Sequence, residues 1–245
     1  MVPAIKTAAV TESSFFIICL LVGFRAIFRK NRRAFVESYG MLHTKRKEKQ
    51  MSQKDQEKWD RKYLENPKLR QERPPVRWIK RFVPEEREGH ALDLACGTGR
   101  NAVALARKGW RVEAVDLSPV ALQMLTEFAE AAGVLDRIDT ELIDLDTFVP
   151  EKSYDLILTI NYLNRDLIRR TISALKSGGL YIVETYMEDP QNGKKDSNPD
   201  FLLKPGELRT IFSEGFEILH YAEFWNEGDE TYRMRKQAIV AKKIT

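Results

Sequence analysis

The arrangement with the most chemical content in this chain is an aspartate four residues ahead of a glycine that is itself two residues ahead of another. It reads Ala91-Leu92-Asp93-Leu94-Ala95-Cys96-Gly97-Thr98-Gly99-Arg100. The apolar run is a predicted strand, Gly-Thr-Gly a tight turn, and the residues that follow take helical spacing. Glycines there admit backbone conformations closed to other residues and let a ligand lie against the main chain. The first amides of the new helix then face that ligand. A nucleotide-like cofactor suits this geometry. Gly97, Gly99 and Ala102 also satisfy the dinucleotide pattern G-x-G-x-x-G/A, with Asp116 at a second strand end where a ribose-binding acid belongs. Asp93 separates the two cases. A carboxylate beside the turn repels a pyrophosphate but suits a ligand carrying an ammonium and a sulfonium, which describes S-adenosylmethionine and not a nicotinamide dinucleotide.

With these residues in place the chain resembles the class I S-adenosylmethionine-dependent methyltransferases. Their first motif, D/E-x-G-x-G-x-G, stands here as Asp93-x-Ala95-x-Gly97-x-Gly99, with alanine at the first glycine position. The resemblance runs from about Trp59 to the C-terminus. It implies an α/β fold, Rossmann-like and doubly wound, with a mostly parallel seven-stranded sheet that ends in an antiparallel hairpin. It also implies that Asp93, Ala95, Gly97 and Gly99 hold the cofactor, and that Asp116 and Leu117 follow at the ribose. Asp144 and Leu145 then lie near the adenine, Asn161 at the fourth strand end, and Trp59 and Tyr63 over the methionine end. The alternative for Asp116 and Asp144 is that they are polar strand ends or caps, and Asn161 reads equally as a turn residue. Trp59 and Tyr63, four apart on one helix face, read equally as packing, and Cys96 reads as a small filler in the turn. Gly99-Arg100-Asn101 and the segment from Asn198 to Leu208 are similar to the small bacterial TehB-like, tellurite-resistance group.

The elements that must position these residues follow in order. Arg111 to Asp116 is a second strand, and Ser118-Pro119 a helix start with Ser118 as N-cap. Ile138 to Ile143 is a third strand leading to Asp144. Tyr154 to Ile160 is a nearly continuous apolar fourth strand suited to a sheet buried on both faces. The pattern predicts a helix from Asp166 to Lys176 closed by Gly178-Gly179, then a fifth strand from Leu180 to Tyr186. Met187 to Pro205 is a long polar loop read as a substrate lid. Phe216 to Trp225 and Thr231 to Lys242 form a predicted hairpin around Glu227-Gly228-Asp229.

The reaction so implied is direct methyl transfer to a small-molecule acceptor. A general base is required only if the nucleophile is protonated at neutral pH; Tyr186, Glu184 and His220 are the candidates by position. RNA- or protein-directed methylation, a nicotinamide-dependent oxidoreductase and a non-catalytic methyltransferase-like binding protein are the alternatives.

Composition narrows the field. A chain of 245 residues holds one ordinary α/β domain and an appendage. Its two cysteines and three histidines suggest neither a disulfide framework nor a metal site. Arg25 to Arg81 carries 19 basic and 7 acidic residues, whereas Phe82 to Thr245 carries 20 and 28. An acidic body disfavours nucleic acid as substrate, since phosphate neutralisation drives such binding. The division expected is a basic extension at 1–50 and a methyltransferase domain at 51–245. Phe15 to Phe24, followed by arginines through Arg33, is too short for an ordinary membrane span. Residues 15–33 would anchor an enzyme on the cytoplasmic side, or else the extension is a mis-assigned start before Met51 or a disordered tail. Removing residues 25–50, with nine basic and two acidic side chains, turns the net charge from +4 to −3. The protein is otherwise read as cytoplasmic, with its oligomeric state open.

Overall fold

Seven strands form a single sheet in the order β3-β2-β1-β4-β5-β7-β6, with the central β1 and β4 buried on both faces and the edge strands β3 and β6 largely open. They are β1 (His90–Leu94), β2 (Arg111–Asp116), β3 (Ile138–Leu142), β4 (Tyr154–Ile160), β5 (Leu175–Tyr186), β6 (Phe216–Trp225) and β7 (Arg235–Lys243). The computed structural model describes residues 53–85, 88–226 and 231–244. The expectations for residues 1–50, the start at Met51 and the Glu227-Gly228-Asp229 turn lie outside them. Among the described residues no helix is long and apolar enough to cross a membrane.

β1 to β5 pair in parallel, and β7 joins β5 and β6 antiparallel. This is the expected doubly wound sheet with its terminal hairpin. The chain order reverses direction between β1 and β4, and at such a point the carboxyl ends of the strands open a crevice. Helices cover both faces: α1 (residues 53–65), α2 (Arg77–Phe82), α3 (Arg100–Arg107), α4 (Pro119–Ala131), α5 (Arg165–Ile172) and α6 (Glu207–Ile211). Two apolar clusters result. One packs α2, α3 and α4 against Ala91, Ala114, Leu156 and Ile182; the other includes Leu92, Leu94, Ile157 and Val183 with Leu167 of α5 and Leu208 of α6. Asp93 shares the face of Ala91 by strand alternation, so its side chain enters the core beneath α3.

Local signals explain most boundaries. Ser118 caps α4, its Oγ accepting from the Ala121 amide at 3.1 Å with Pro119 at the first helical position. Asn164 caps α5 through Leu167 at 2.9 Å.

Two expectations need correction. The helix predicted over Asp166 to Lys176 ends at Ile172, and β5 begins at Leu175 instead of Leu180, so Gly178 and Gly179 lie within the strand. They sit where the pairing with β4 shifts register between Tyr154 and Leu156. Glycine in a strand marks such an irregularity as readily as a helix end.

The loop from Met187 to Pro205 is not a free lid. Met187 bridges Leu203, and both are buried. Asn192 is buried, donating to the Met187 carbonyl and accepting from the Arg235 amide. Arg165 donates to the carbonyls of Asp200 and Leu202 at 2.8 Å and forms a two-pronged bond with Glu207 at 2.5 and 2.9 Å. That fork holds the Glu207 carboxyl below its ordinary range. Arg165→Met is expected to cost about 1–2 kcal/mol and to speed cleavage within 187–206 in limited proteolysis; an unchanged cleavage rate would show that the loop is held elsewhere.

Candidate active site

The turn after β1 is built as its glycines require. Gly97 and Gly99 take φ +55 and +79. A side chain at Gly99 would meet Leu125 at 2.3 Å, and one at Gly97 would meet the Tyr63 hydroxyl at 2.9 Å. The glycines thereby let Leu125 and Tyr63 pack directly on the main chain of the turn. Ala95 and Asn161 are the non-glycine residues with positive φ, +56 and +59, among those described. They end the adjacent strands β1 and β4, and backbone strain of this kind concentrates at functional sites.

Asp116 ties the crevice together. Its Oδ2 accepts from the Gly97 amide at 2.8 Å and its Oδ1 from the Ser118 amide at 2.9 Å. Burial raises its pKa, and these amides oppose the shift. Sequence reasoning gave Asp116 a ribose role and missed this one, which joins the turns after β1 and β2. Leu117 follows, partly buried.

Asp93 is 1% exposed, and its Oδ2 has no hydrogen-bond partner. Burial pushes its carboxyl up to about 7, opposed by the Arg100 guanidinium. An orphaned buried carboxylate oxygen beneath a glycine turn fits a ligand that brings positive charge, so the residues present fit S-adenosylmethionine. Cys96 is buried with its thiol raised well above the ordinary value, as an inert filler would be.

From α1, Tyr63 lies buried against Gly97 with Trp59 beside it, ring centres 6.1 Å apart. Asp60 accepts from the Ser118 hydroxyl. Helix α1 therefore packs on the turn through Tyr63. Asp144 is half-buried and its Oδ1 accepts from the Asp146 amide at 2.9 Å; Leu145 is buried beside it.

The structure gathers a second group at the ends of β4, β5 and β7. Glu184 accepts from Trp78 Nε1 at 2.7 Å and faces Lys236 Nζ at 3.5 Å. Lys236 also donates to Asn161 Oδ1 at 2.9 Å and lies 4.8 Å from the Tyr186 ring centre. Lys236 is 3% exposed and was missed from sequence; it stands among other polar residues at the start of β7, Arg235-Lys236-Gln237, and nothing local marks it as the buried one. His220 is not brought to this end. It pairs with Val240, level with Ile182, four residues or about 13 Å short of the end of β5. Its ring packs 4.5 Å from Trp78 and 5.8 Å from Phe82, and burial lowers its pKa.

Comparison with known proteins bears on the fold that carries this site. Residues 91–179 match the family model described as a methyltransferase domain. The chain is 27% identical over 181 residues to a putative methyltransferase, YqeM, of Bacillus subtilis, covering 65% of this chain and 71% of that one. It is 27% identical over 152 residues to the probable S-adenosyl-L-methionine-dependent methyltransferase TehB of Haemophilus influenzae, covering 57% and 50%. An uncharacterized Schizosaccharomyces pombe protein matches at 26% over 57% of this chain and 55% of its own length, so the chain spans about half the length of several such relatives. The crystal structure of Haemophilus influenzae TehB superposes with a TM-score of 0.58 at 23% identity, over 69% of this chain and 60% of that one. The fold is that of class I methyltransferases.

The Asp93 geometry predicts a pH dependence. In the folded chain the carboxyl stays protonated up to about pH 7, whereas unfolded it ionises near pH 4. The folded state therefore binds the extra proton between those values, and stability falls as pH rises through 7. Urea unfolding of the ligand-free protein should be about 1.4 kcal/mol less favourable to the fold at pH 8 than at pH 6. Asp93→Asn should flatten that difference, and an equal dependence in the variant would refute the assignment.

Proposed function

We propose that the chain carries a class I, TehB-like methyltransferase domain and performs S-adenosylmethionine-dependent methyl transfer to a small-molecule acceptor in the crevice between β1 and β4. The observation that carries the reading is Asp93, a buried carboxylate with an unpartnered oxygen under a turn of left-handed glycines. In this reading Asp93, Ala95, Gly97 and Gly99 hold the cofactor, with Asp116 and Leu117 at its ribose, Asp144 and Leu145 toward its base and Trp59 and Tyr63 over it. Asn161 stands between cofactor and acceptor. When bound, the cofactor supplies an electrophilic methyl group on a sulfonium.

What the chain adds is orientation and exclusion of water. Helix α1 covers the glycine turn through Tyr63. The acids of β1 and β2 counter the positive charge of the donor. The candidate bases are occupied otherwise: Glu184 is bonded to Trp78 and paired with Lys236, Tyr186 lies beside the ammonium, and His220 is packed among rings. A nucleophile already deprotonated at neutral pH suits such a site. The cytoplasm, where the cofactor is available, is the proposed place of action. The acidic balance from Phe82 to Thr245, 28 acidic against 20 basic residues, favours a small acceptor over RNA.

Isothermal titration of the full chain with S-adenosylmethionine tests this reading. Micromolar binding is expected, with Asp93→Ala and Asp116→Ala each weakening it about tenfold or more, roughly 1.4 kcal/mol. Failure of the unmutated chain to bind would reject it.

A further inference from the structure

Asn161 ends β4 with φ +59, a conformation that persists only where the surroundings impose it. Two contacts do so here. Its amide N–H donates to the Glu184 carbonyl at 2.7 Å, and its side-chain oxygen accepts from Lys236 Nζ at 2.9 Å. An ammonium can only donate, so the amide oxygen must face it and the Nδ2 group must point the other way. Asn161 is exposed while Lys236 is buried. The two N–H donors of Nδ2 therefore face the open end of the sheet.

The surroundings bias that donor toward anions. A positive charge 2.9 Å behind the amide oxygen polarises the group. Glu184 offsets it in part from 3.5 Å, but one of its oxygens is already taken by Trp78. Lys236 stands opposite Tyr186 and Phe224, so all three lie on one face of the sheet. On that face the Arg77 guanidinium lies 4.6 Å from the Trp78 ring and 4.3 Å from the Phe224 ring, adding a second cation beside apolar surface. Burying an ion pair brings little stability that apolar residues could not match.

Building on the methyltransferase reading above, we propose that Lys236 is a positioning residue, locking Asn161 so that its Nδ2 group receives the carboxylate of an acidic acceptor and selects it over neutral analogues.

The test uses the full chain saturated with S-adenosylhomocysteine, the demethylated cofactor, and titrated calorimetrically with matched pairs: benzoate against benzamide, and 3-mercaptopropionate against its amide. Each acid is expected to bind about tenfold more tightly than its amide. Lys236→Met and Asn161→Asp should bring the ratio to within about twofold, the first with nucleoside affinity unchanged, and Lys236→Arg should keep part of the preference. Should Lys236→Met not fold, Asn161→Asp at its exposed position decides. Absence of the preference in the unmutated complex, or its survival in either variant, overturns the proposal. If the unmutated chain does not take up the nucleoside, the parent reading fails instead.

Discussion

Asp116 is the joint on which the crevice depends. One carboxylate accepts from Gly97 on one turn and Ser118 on the next, so the ends of β1 and β2 move as one piece. Ser118 in turn caps α4 and is held by Asp60 from α1. The covering helix, the glycine turn and the second helix are thus linked through a few atoms, and the backbone of Gly97 and Gly99 is held ready for a ligand. Preorganisation of this kind reduces the cost of ordering on binding.

Much of this was legible in the sequence because its signals are local. The glycine turn, the Ser118 cap with Pro119 behind it, the apolar β4 and the alternating terminal strands each depend on neighbours within a few residues. The turn, the cap, β4 and the seven-stranded sheet took the expected form, whereas the strand expected from Thr231 begins at Arg235 and neither terminal strand alternates in burial. The helix end misplaced at Gly178-Gly179 shows where local reading breaks down. Glycine punctuates a strand irregularity as well as a helix terminus, and only pairing with β4, distant in sequence, decides between them. The loop after β5 shows the same limit. Its length and polarity read as a substrate lid, and Arg165 and Asn192 hold it through main-chain carbonyls and amides that no side-chain pattern displays.

Lys236 was hidden more deeply. Its partners Asn161 and Glu184 precede it by 75 and 52 residues, and the three meet only because β7 inserts between β5 and β6. His220 failed in the opposite direction. It has the residue type of a base, but the register of β6 leaves it short of the crevice among the rings of α2.

The two ends of the crevice differ in charge in a way that suits the proposed chemistry. Acids gather at the ends of β1 and β2, where a cationic donor would lie, while Lys236 and Arg77 stand on the side of β5 and β7. A sulfonium and an anion lose charge as they react, so a poorly hydrated site favours their transition state over the separated ions. The same low hydration makes Asp93 costly while it is ionised and alone, and it keeps its proton to about pH 7. A bound cation would release that proton. The stability that the empty turn gives up as pH rises toward and through 7 is therefore available to binding, and a residue that weakens the ligand-free fold when ionised is one the proposed cofactor would pair with.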